Sequence, residues 1–408
     1  MSLFAHLRRR EPAAAHPAIT ALMAFAVSVS ICVVSPGSPA MASGLHDHVQ
    51  SVLDDLHERY GFPGATAAYM LSDGTIGTVA TGFADLEQSL PMTADSRMLA
   101  ASIGKSMVGA TVVALAKAGV LDMDEPVSHW LGAQEWFARL PNHETMTIRH
   151  LLQHTSGLPD HVYSVEFGSL VATTYQNMEN AVAPEQLIGF ILDAPAHFPA
   201  GEGWSYSDTG YLLLGLVIEI ASGRSYDEEI DQRFLLRLNL KHTSRSDRRD
   251  IDGLAAGYTA EDNPFDLPVR TTDNAGVLLW HPGLEWTGGG LASTSRDLAT
   301  WGWALFEGHA MPVDYLDEVL TAAQIDPDMP GTDYGAGIVI VQDGDFGPVY
   351  GHGGWIPGYV SSMRYYPEHR ATIAFQINSD VAVMEGSPSV VDRMETELAA
   401  AVLTWTAR

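Results

Sequence analysis

Apolar positions in the first part of the chain repeat at helical spacing and then at strand spacing. Residues 44–60 carry apolar residues three or four positions apart, which predicts an amphipathic helix. Two strands are predicted next, Gly64–Leu71 and Thr75–Thr81, joined at an Asp-Gly step that suits a hairpin turn. Residues 102–120 are almost wholly apolar, which predicts a buried helix ending at Gly119.

The middle and end of the chain differ in pattern. Residues 121–291 have mostly helical periodicity and few strand signals. After them, four short strands are predicted at Gly335–Gln342, Pro348–Tyr350, Val360–Tyr366 and Ala371–Ile377. A helix is predicted last, over about Val390–Thr404. We therefore predict an α+β fold, in which an antiparallel sheet is flanked by helices and carries an inserted, mainly helical lobe. The α/β region would comprise residues 43–120 and 292–408, and the lobe residues 121–291.

The first 42 residues have the features of a secretory signal. Arg8, Arg9 and Arg10 precede an uncharged run over residues 19–34, and Ala40-Met41-Ala42 offers a small-x-small cleavage site. An uncleaved membrane anchor is the alternative, although the run is shorter than the ~20 residues that span a bilayer. We expect a periplasmic or secreted bacterial protein with no stable membrane anchor after cleavage.

Charge and cysteine content narrow the function. With 50 acidic and 22 basic residues, the formal net charge of −28 disfavours a nucleic-acid partner. The only cysteine, Cys32, lies in the predicted signal, so the mature chain has neither a disulfide nor a thiol nucleophile.

Ser102 and Lys105 form the candidate catalytic pair. Residues three apart share a helix face, so the lysine amine can approach the serine hydroxyl. A helix N-terminus favours a developing oxyanion, and burial lowers the pKa of a lysine amine, which would let Lys105 act as a base. The alternative is a surface lysine after a capping serine. Only three lysines occur in the chain, and this one alone follows a serine by three positions.

Other hydrolase signatures have less support. No Gly-x-Ser-x-Gly sequence occurs, which argues against an α/β-hydrolase. His150 and His154 have a spacing that zinc ligands use, but the glutamate of a His-Glu-x-x-His helix is missing. We therefore predict no metal and no organic cofactor.

Five sequence blocks in order resemble one known superfamily. The chain resembles the serine β-lactamase and penicillin-binding-protein superfamily, in the branch of class C β-lactamases, D-alanyl-D-alanine carboxypeptidases, D-aminopeptidases and related esterases. The blocks are Ser102-Ile103-Gly104-Lys105, residues 151–160 (LLQHTSGLPD), residues 206–215 (YSDTGYLLLG), residues 288–294 (GGGLAST) and Gly351-His352-Gly353-Gly354-Trp355.

The resemblance implies roles for two residues of the third block. Tyr206 would relay a proton to the leaving group, or serve as the base. Asp208 stands where the superfamily most often has Asn. A carboxylate there would hold Lys105 protonated, shift the role of base towards Tyr206 and disfavour an anionic substrate group nearby.

The fifth block corresponds to the Lys-Thr-Gly or His-Thr-Gly motif on an edge strand. No lysine follows Lys241, so the cationic or proton-donating role falls to His352. Gly353 replaces the threonine that helps bind a substrate carboxylate, which weakens the case for β-lactam or D-Ala-D-Ala recognition. Gly354 allows close backbone approach, and the N–H of Trp355 would pair with that of Ser102 as an oxyanion hole.

The predicted function is acyl transfer through an acyl-enzyme on Ser102. The predicted partner is a small-molecule ester, amide or D-amino-acid peptide, as expected for a carboxylesterase or D-amino-acid peptidase. A β-lactamase or D-alanyl-D-alanine carboxypeptidase is the nearest alternative. A catalytically inactive binding protein of the cell envelope is an alternative of another class.

Overall fold

A computed structural model describes residues 39–177, 182–325, 331–381 and 390–406, all within one unit that comprises residues 36–408. Most of the predicted signal sequence, residues 1–38, lies outside the described residues. No helix in the described ranges is long and apolar enough to cross a membrane.

The strands in these ranges vary from two to ten residues in length. They are β1 (Gly64–Met70), β2 (Ile76–Asp85), β3 (Leu90–Pro91), β4 (Met98–Leu99), β5 (Ser244–Arg245), β6 (Leu291–Ser293), β7 (Ala323–Gln324), β8 (Thr332–Tyr334), β9 (Val339–Gly344), β10 (Gly347–Ile356), β11 (Tyr359–Tyr366) and β12 (Ala371–Ile377). Nine of them form one antiparallel sheet in the order β3-β2-β1-β12-β11-β10-β9-β8-β7, and β4-β6-β5 form a small second sheet.

The α-helices flank the large sheet and form the lobe. They are α1 (Pro39–Tyr60), α2 (Lys105–Lys117), α3 (Ser128–Leu131), α4 (Ile148–Leu152), α5 (Val165–Asn177), α6 (Pro184–Ile188), α7 (Asp208–Ser222), α8 (Tyr226–Ile230), α9 (Ser295–Phe306), α10 (Leu316–Leu320) and α11 (Val390–Thr406). The predicted α+β architecture, an antiparallel sheet flanked by helices, is confirmed.

The sheet is buried on both faces because its strands are apolar on both. Ala65, Ala67 and Tyr69 of β1 pack into a core shared with α1 and α11, whereas Ala68 faces the opposite core, which contains α2 and α9. Burial on two sides explains why β1 and β12 are almost continuously apolar instead of alternating.

Three sequence-based boundaries change in the structure. The helix predicted over residues 102–120 is a 3-10 turn followed by α2, and it ends at Lys117. The single strand predicted at Gly335–Gln342 is a turn followed by β9, because Gly337 has a φ of +73° and lies against the backbone of Lys105. The α-helices of the predicted lobe lie between residues 128 and 230, and residues 246–290 contain no α-helix.

Candidate active site

Ser102 lies in a tight turn that precedes α2. Ala101–Gly104 form a 3-10 turn, and Ala101 adopts a φ of +49°, a conformation that is strained for a residue with a side chain. The other three residues of this turn are buried, whereas Ser102 is partly exposed and lines a cavity. The turn therefore fixes the serine hydroxyl at the cavity surface.

A triple-glycine segment packs directly against this turn. Gly289 has a φ of +147°, and a side chain on it would overlap the backbone of Ala101 and Ser102. A side chain on Gly104 would in turn lie 2.8 Å from the Gly289 carbonyl oxygen. The 288–294 block had no predicted role beyond the resemblance, and in the structure it forms one wall of the serine site. Three consecutive glycines were the available signal for such close approach.

Lys105 is fully buried and donates to three groups. Its Nζ lies 3.0 Å from the Ser102 Oγ, and it also donates to the Gly288 carbonyl oxygen and pairs with the Asp208 carboxylate. Burial lowers the pKa of the amine, but Asp208 and Tyr206 raise it by more, so its pKa lies above the ordinary value. The expectation of a lowered lysine pKa is therefore wrong in this environment, because the carboxylate outweighs burial.

Tyr206 and Asp208 are placed by the start of α7. Ser207 caps this helix by accepting a hydrogen bond from the Gly210 N–H, which fixes the residues on either side. The Lys105 Nζ lies 4.9 Å from the centre of the Tyr206 ring. The Tyr206 Oη is buried and makes no hydrogen bond of normal geometry with any described residue. Burial raises the pKa of this hydroxyl, and Lys105 and Ser102 lower it only in part.

His154 packs against the ring of Tyr206. Its ring packs 4.1 Å from the Tyr206 ring, and its Nδ1 accepts a hydrogen bond from the Ser207 N–H at 3.1 Å. His150 instead accepts from the Thr147 N–H in the capping box of α4. The two histidines thus have separate structural partners, and in the described ranges no cluster of three or more potential ligands could hold a metal ion.

His352 lines the cavity as a buried, neutral ring. Its Nδ1 donates to the Gly353 carbonyl oxygen, so its Nε2 accepts the hydrogen bond from the Tyr334 hydroxyl, at 2.8 Å. Burial lowers its pKa to about 3, and Lys105 adds to the effect. Both ring nitrogens are therefore occupied, and the ring does not present a positive charge to the cavity.

The strand that carries His352 is paired differently along its length. Residues 347–351 of β10 pair with β9, whereas residues 350–356 pair with β11. β10 is thus an interior strand, and the expected edge position holds only for its second half. A side chain on Gly354 would overlap the Ala100 carbonyl oxygen, so glycine is needed for β10 to approach the serine turn. A methyl group on Gly353 would make only ordinary van der Waals contacts, since its nearest neighbours, in Arg364 and Ser361, would lie 3.8 Å away.

A largely apolar cavity of about 510 Å³ opens onto Ser102. Its walls include Phe167, Phe265, Trp280, Trp355 and Leu284, together with Tyr206, Asp208, His352, Gly353 and Gly354. The structure thus brings seven of the eight predicted site residues to one cavity surface, and the eighth, Lys105, lies directly behind Ser102.

Three cavity carboxyl groups, those of Asp160, Glu285 and Glu395, were not identified as site residues from the sequence. Burial raises the pKa of Asp160 to about 7 and that of Glu285 to about 8, with Asp208 contributing to both shifts. Asp160 lies in the 151–160 block, whose only recognised role was a turn. Glu285 precedes the triple glycine and has no sequence signature.

Known proteins are similar to this chain over most of its length. A family model described as Beta-lactamase matches residues 49–389. Penicillin-binding protein 4* of Bacillus subtilis (strain 168) is 27% identical over 352 residues, which cover 83% of this chain and 73% of that protein. A D-stereospecific amidohydrolase from Streptomyces sp. aligns with a TM-score of 0.73 and 26% identity, over 88% of this chain and 99% of the other. The D-amino acid amidase from Ochrobactrum anthropi SV3, complexed with D-phenylalanine, aligns with a TM-score of 0.75 and 25% identity, over 89% and 100%.

Proposed function

The chain belongs to the Beta-lactamase family, and from that premise we propose that it hydrolyses an amide or ester of a D-amino acid through an acyl-enzyme on Ser102. The resemblance to the serine β-lactamase and penicillin-binding-protein superfamily is confirmed, and the protein is a serine hydrolase of that superfamily. The substrate, the site residues and export belong to the proposal.

One observation carries the assignment of the nucleophile. The Ser102 Oγ accepts a hydrogen bond from the buried Lys105 amine at 3.0 Å, at the surface of an apolar cavity. The positive charge of Lys105 stabilises an alkoxide that develops on this oxygen. We assign the backbone N–H groups of Ser102 and Trp355 to the oxyanion of the tetrahedral intermediate.

Proton transfer falls to Tyr206 in this proposal. The Lys105 pKa is raised, so the amine is an ammonium group, which donates to Ser102 and Gly288, pairs with Asp208 and has no lone pair to offer. The Tyr206 hydroxyl makes no hydrogen bond of normal geometry with a described residue, and Ser102 and Lys105 both lower its pKa. It accepts the Ser102 proton while it gives its own proton to the leaving group, and Lys105 stabilises the charge that develops during this exchange.

The substrate class follows from charge and from the relatives. Gly353 lacks a hydroxyl, His352 is neutral, and Asp208 adds a negative charge, so these positions do not favour a substrate carboxylate. Two structurally similar proteins are a D-stereospecific amidohydrolase and a D-amino acid amidase. Both observations favour an amide or ester of a D-amino acid over a penicillin. Similarity to penicillin-binding protein 4* supports a β-lactamase or carboxypeptidase as the second candidate.

Export is proposed on the basis of residues 1–42 alone. The basic start, the apolar run and the Ala-Met-Ala site predict cleavage and release to the periplasm or medium. Sequencing the N-terminus of the protein secreted by its host tests this, and an N-terminus upstream of the apolar run would refute cleavage.

Labelling with a fluorophosphonate tests the nucleophile. We expect an adduct on Ser102, located by peptide mass spectrometry, and no adduct in Ser102→Ala. Turnover of D-phenylalanine amide should exceed that of its L enantiomer, of nitrocefin and of a D-Ala-D-Ala peptide. An unlabelled wild-type protein would support the inactive binding protein instead, and preferred turnover of nitrocefin would support the second candidate.

A further inference from the structure

Glu285 is a cavity carboxyl group with an oxygen that has no partner among the described residues. It lies between two 3-10 turns, Pro282–Leu284 and Trp286–Gly288, and lines the cavity together with Ser102. Its Oε2 is buried and makes no hydrogen bond or ion pair with any of them. We propose that Glu285 binds the α-ammonium group of the substrate and so selects substrates that carry a free amine. This inference rests on the proposed acyl-enzyme chemistry at Ser102.

The position of Glu285 is fixed by the serine site. Its carbonyl oxygen accepts a hydrogen bond from the Gly288 N–H at 2.6 Å, and the Gly288 carbonyl oxygen accepts one from Lys105. The segment that carries Glu285 is therefore tied to the same lysine that contacts Ser102. In an α-amino acid substrate only the Cα atom separates the carbonyl carbon from the amine. A substrate whose carbonyl carbon lies at Ser102 therefore places its α-amine close to the same segment.

The other charged groups around the cavity have partners within the described ranges. Arg364 pairs with Glu395 at 3.0 Å, and Lys105 pairs with Asp208. The remaining carboxyl group, Asp160, accepts a hydrogen bond from the Val162 N–H at 3.1 Å. Its neighbour His161 provides no positive charge, because burial lowers the pKa of that ring to about 4.

The ammonium group of a substrate would supply the positive partner that Glu285 lacks among the described residues. Burial raises the pKa of Glu285 to about 8, and Asp208 adds to this, while the opposing effect of Lys105 is too small to compensate a carboxylate at this point. A buried carboxyl group that gains a cationic partner ionises and forms a charge-assisted hydrogen bond, which is stronger than a neutral one. A substrate with a carboxylate at the same position supplies no such charge, so it gains no ion pair there.

The rest of the cavity fits an apolar side chain on the same substrate. Leu284 is adjacent to Glu285, and Phe167, Phe265, Trp280 and Trp355 contribute further apolar surface. An aromatic α-amino acid amide satisfies both the carboxyl group and these walls. We therefore choose phenylalanine derivatives as probes.

The test compares two p-nitroanilides that differ only in the amine. D-Phenylalanine p-nitroanilide carries the α-ammonium group, and 3-phenylpropanoyl p-nitroanilide lacks it. In Glu285→Gln we expect kcat/KM to fall about 10- to 100-fold for the first substrate, mainly through KM, and to stay within about twofold for the second. Glu261→Gln, which removes an exposed carboxylate outside the cavity, should leave both substrates unchanged.

Fluorophosphonate labelling separates the two levels of the proposal, since this probe has no ammonium group. If neither the wild type nor Glu285→Gln is labelled on Ser102, the proposed function fails. If both are labelled equally but the two anilides respond alike to the substitution, only the ammonium site is refuted. An equal loss of kcat on both anilides would also refute it, because Glu285 would then act on the chemistry itself.

Discussion

The Lys105 amine and the Asp208 carboxylate form an ion pair directly behind Ser102, with the lysine side chain fully buried and the aspartate side chain 24% exposed. The pair holds the lysine protonated, since its pKa is raised despite the burial that lowers it. A residue that by spacing alone looked like a base is thereby turned into a fixed positive charge. The proposed role of Tyr206 as the proton relay depends on this pairing.

Asp208→Asn should make Lys105 a base again. Removing the carboxylate disfavours the protonated amine, so the pKa of Lys105 falls and the neutral amine becomes available at lower pH. The rate of fluorophosphonate labelling of Ser102, measured from pH 5 to pH 10, should then rise at lower pH than in the wild type. Asp262→Asn, an exposed position, serves as the control. Coincident profiles for all three proteins would show that Asp208 does not set the charge of Lys105.

Tyr206→Phe should remove the proton relay and keep the ring. The phenyl group can still pack on His154, so the melting temperature should change by less than about 2 °C, whereas kcat should fall by about 10²- to 10⁴-fold. Tyr60→Phe, at the end of α1, is a matched control that loses a hydroxyl far from Ser102 in sequence and outside the cavity lining. A Tyr206→Phe enzyme with normal kcat would rule out the relay.

Gly354→Ala should destabilise the protein, whereas Gly353→Ala should not. A methyl group on Gly354 overlaps the Ala100 carbonyl oxygen, while one on Gly353 meets no atom within 3.8 Å. Overpacking of this kind costs about 1–3 kcal/mol. Urea denaturation of both variants measures the difference, and equal midpoints would show that β10 and the serine turn do not pack closely at this point.

Gly353→Thr combined with Asp208→Asn should raise reactivity with β-lactams. The threonine hydroxyl restores a carboxylate-binding group, and the asparagine removes a repelling charge. Covalent labelling by a fluorescent penicillin should be faster in the double variant than in the wild type. Unchanged acylation rates in both single variants and in the pair would show that neither position limits penicillin recognition.

Glu285→Gln should become more stable relative to the wild type as the pH rises above about 4.5. The pKa of Glu285 is 4.5 ordinarily and about 8 in the fold, so the folded state holds this proton more tightly than the unfolded chain does. The wild type therefore loses stability as the pH rises from 4.5 to 8, whereas glutamine does not ionise.

The two proteins should differ in stability by an amount that is constant below about pH 4.5, grows in favour of the variant up to about pH 8 and then levels off, after a total change of up to about 5 kcal/mol. The charged groups that act on this carboxyl are Lys105 of α2 and Asp208 of α7. Melting temperatures measured across this range test the prediction. A pH-independent difference between the two melting temperatures would place the pKa of Glu285 near its ordinary value.

The sequence by itself determined the elements and the reacting pair. Short apolar runs bounded by turn residues predicted β1, β11 and β12, and helical periodicity predicted α1 and α11, to within a few residues, because the burial of a segment shows in its own sequence. The three-residue spacing of Ser102 and Lys105 likewise placed both on one turn. Strand boundaries near Gly335 failed because a contact with the Lys105 backbone, distant in sequence, decides them.

Charge states were decided only by the tertiary structure. The raised pKa of Lys105 requires Asp208, 103 positions later in the numbering, and the lowered pKa of His352 requires deep burial, to which the charge of Lys105 adds. Glu285 had no motif at all, and its unpaired oxygen becomes visible only when α2, α7 and the triple glycine meet around Ser102. Electrostatic energy depends on distance and burial in space, and neither quantity is written in the spacing of residues along the chain.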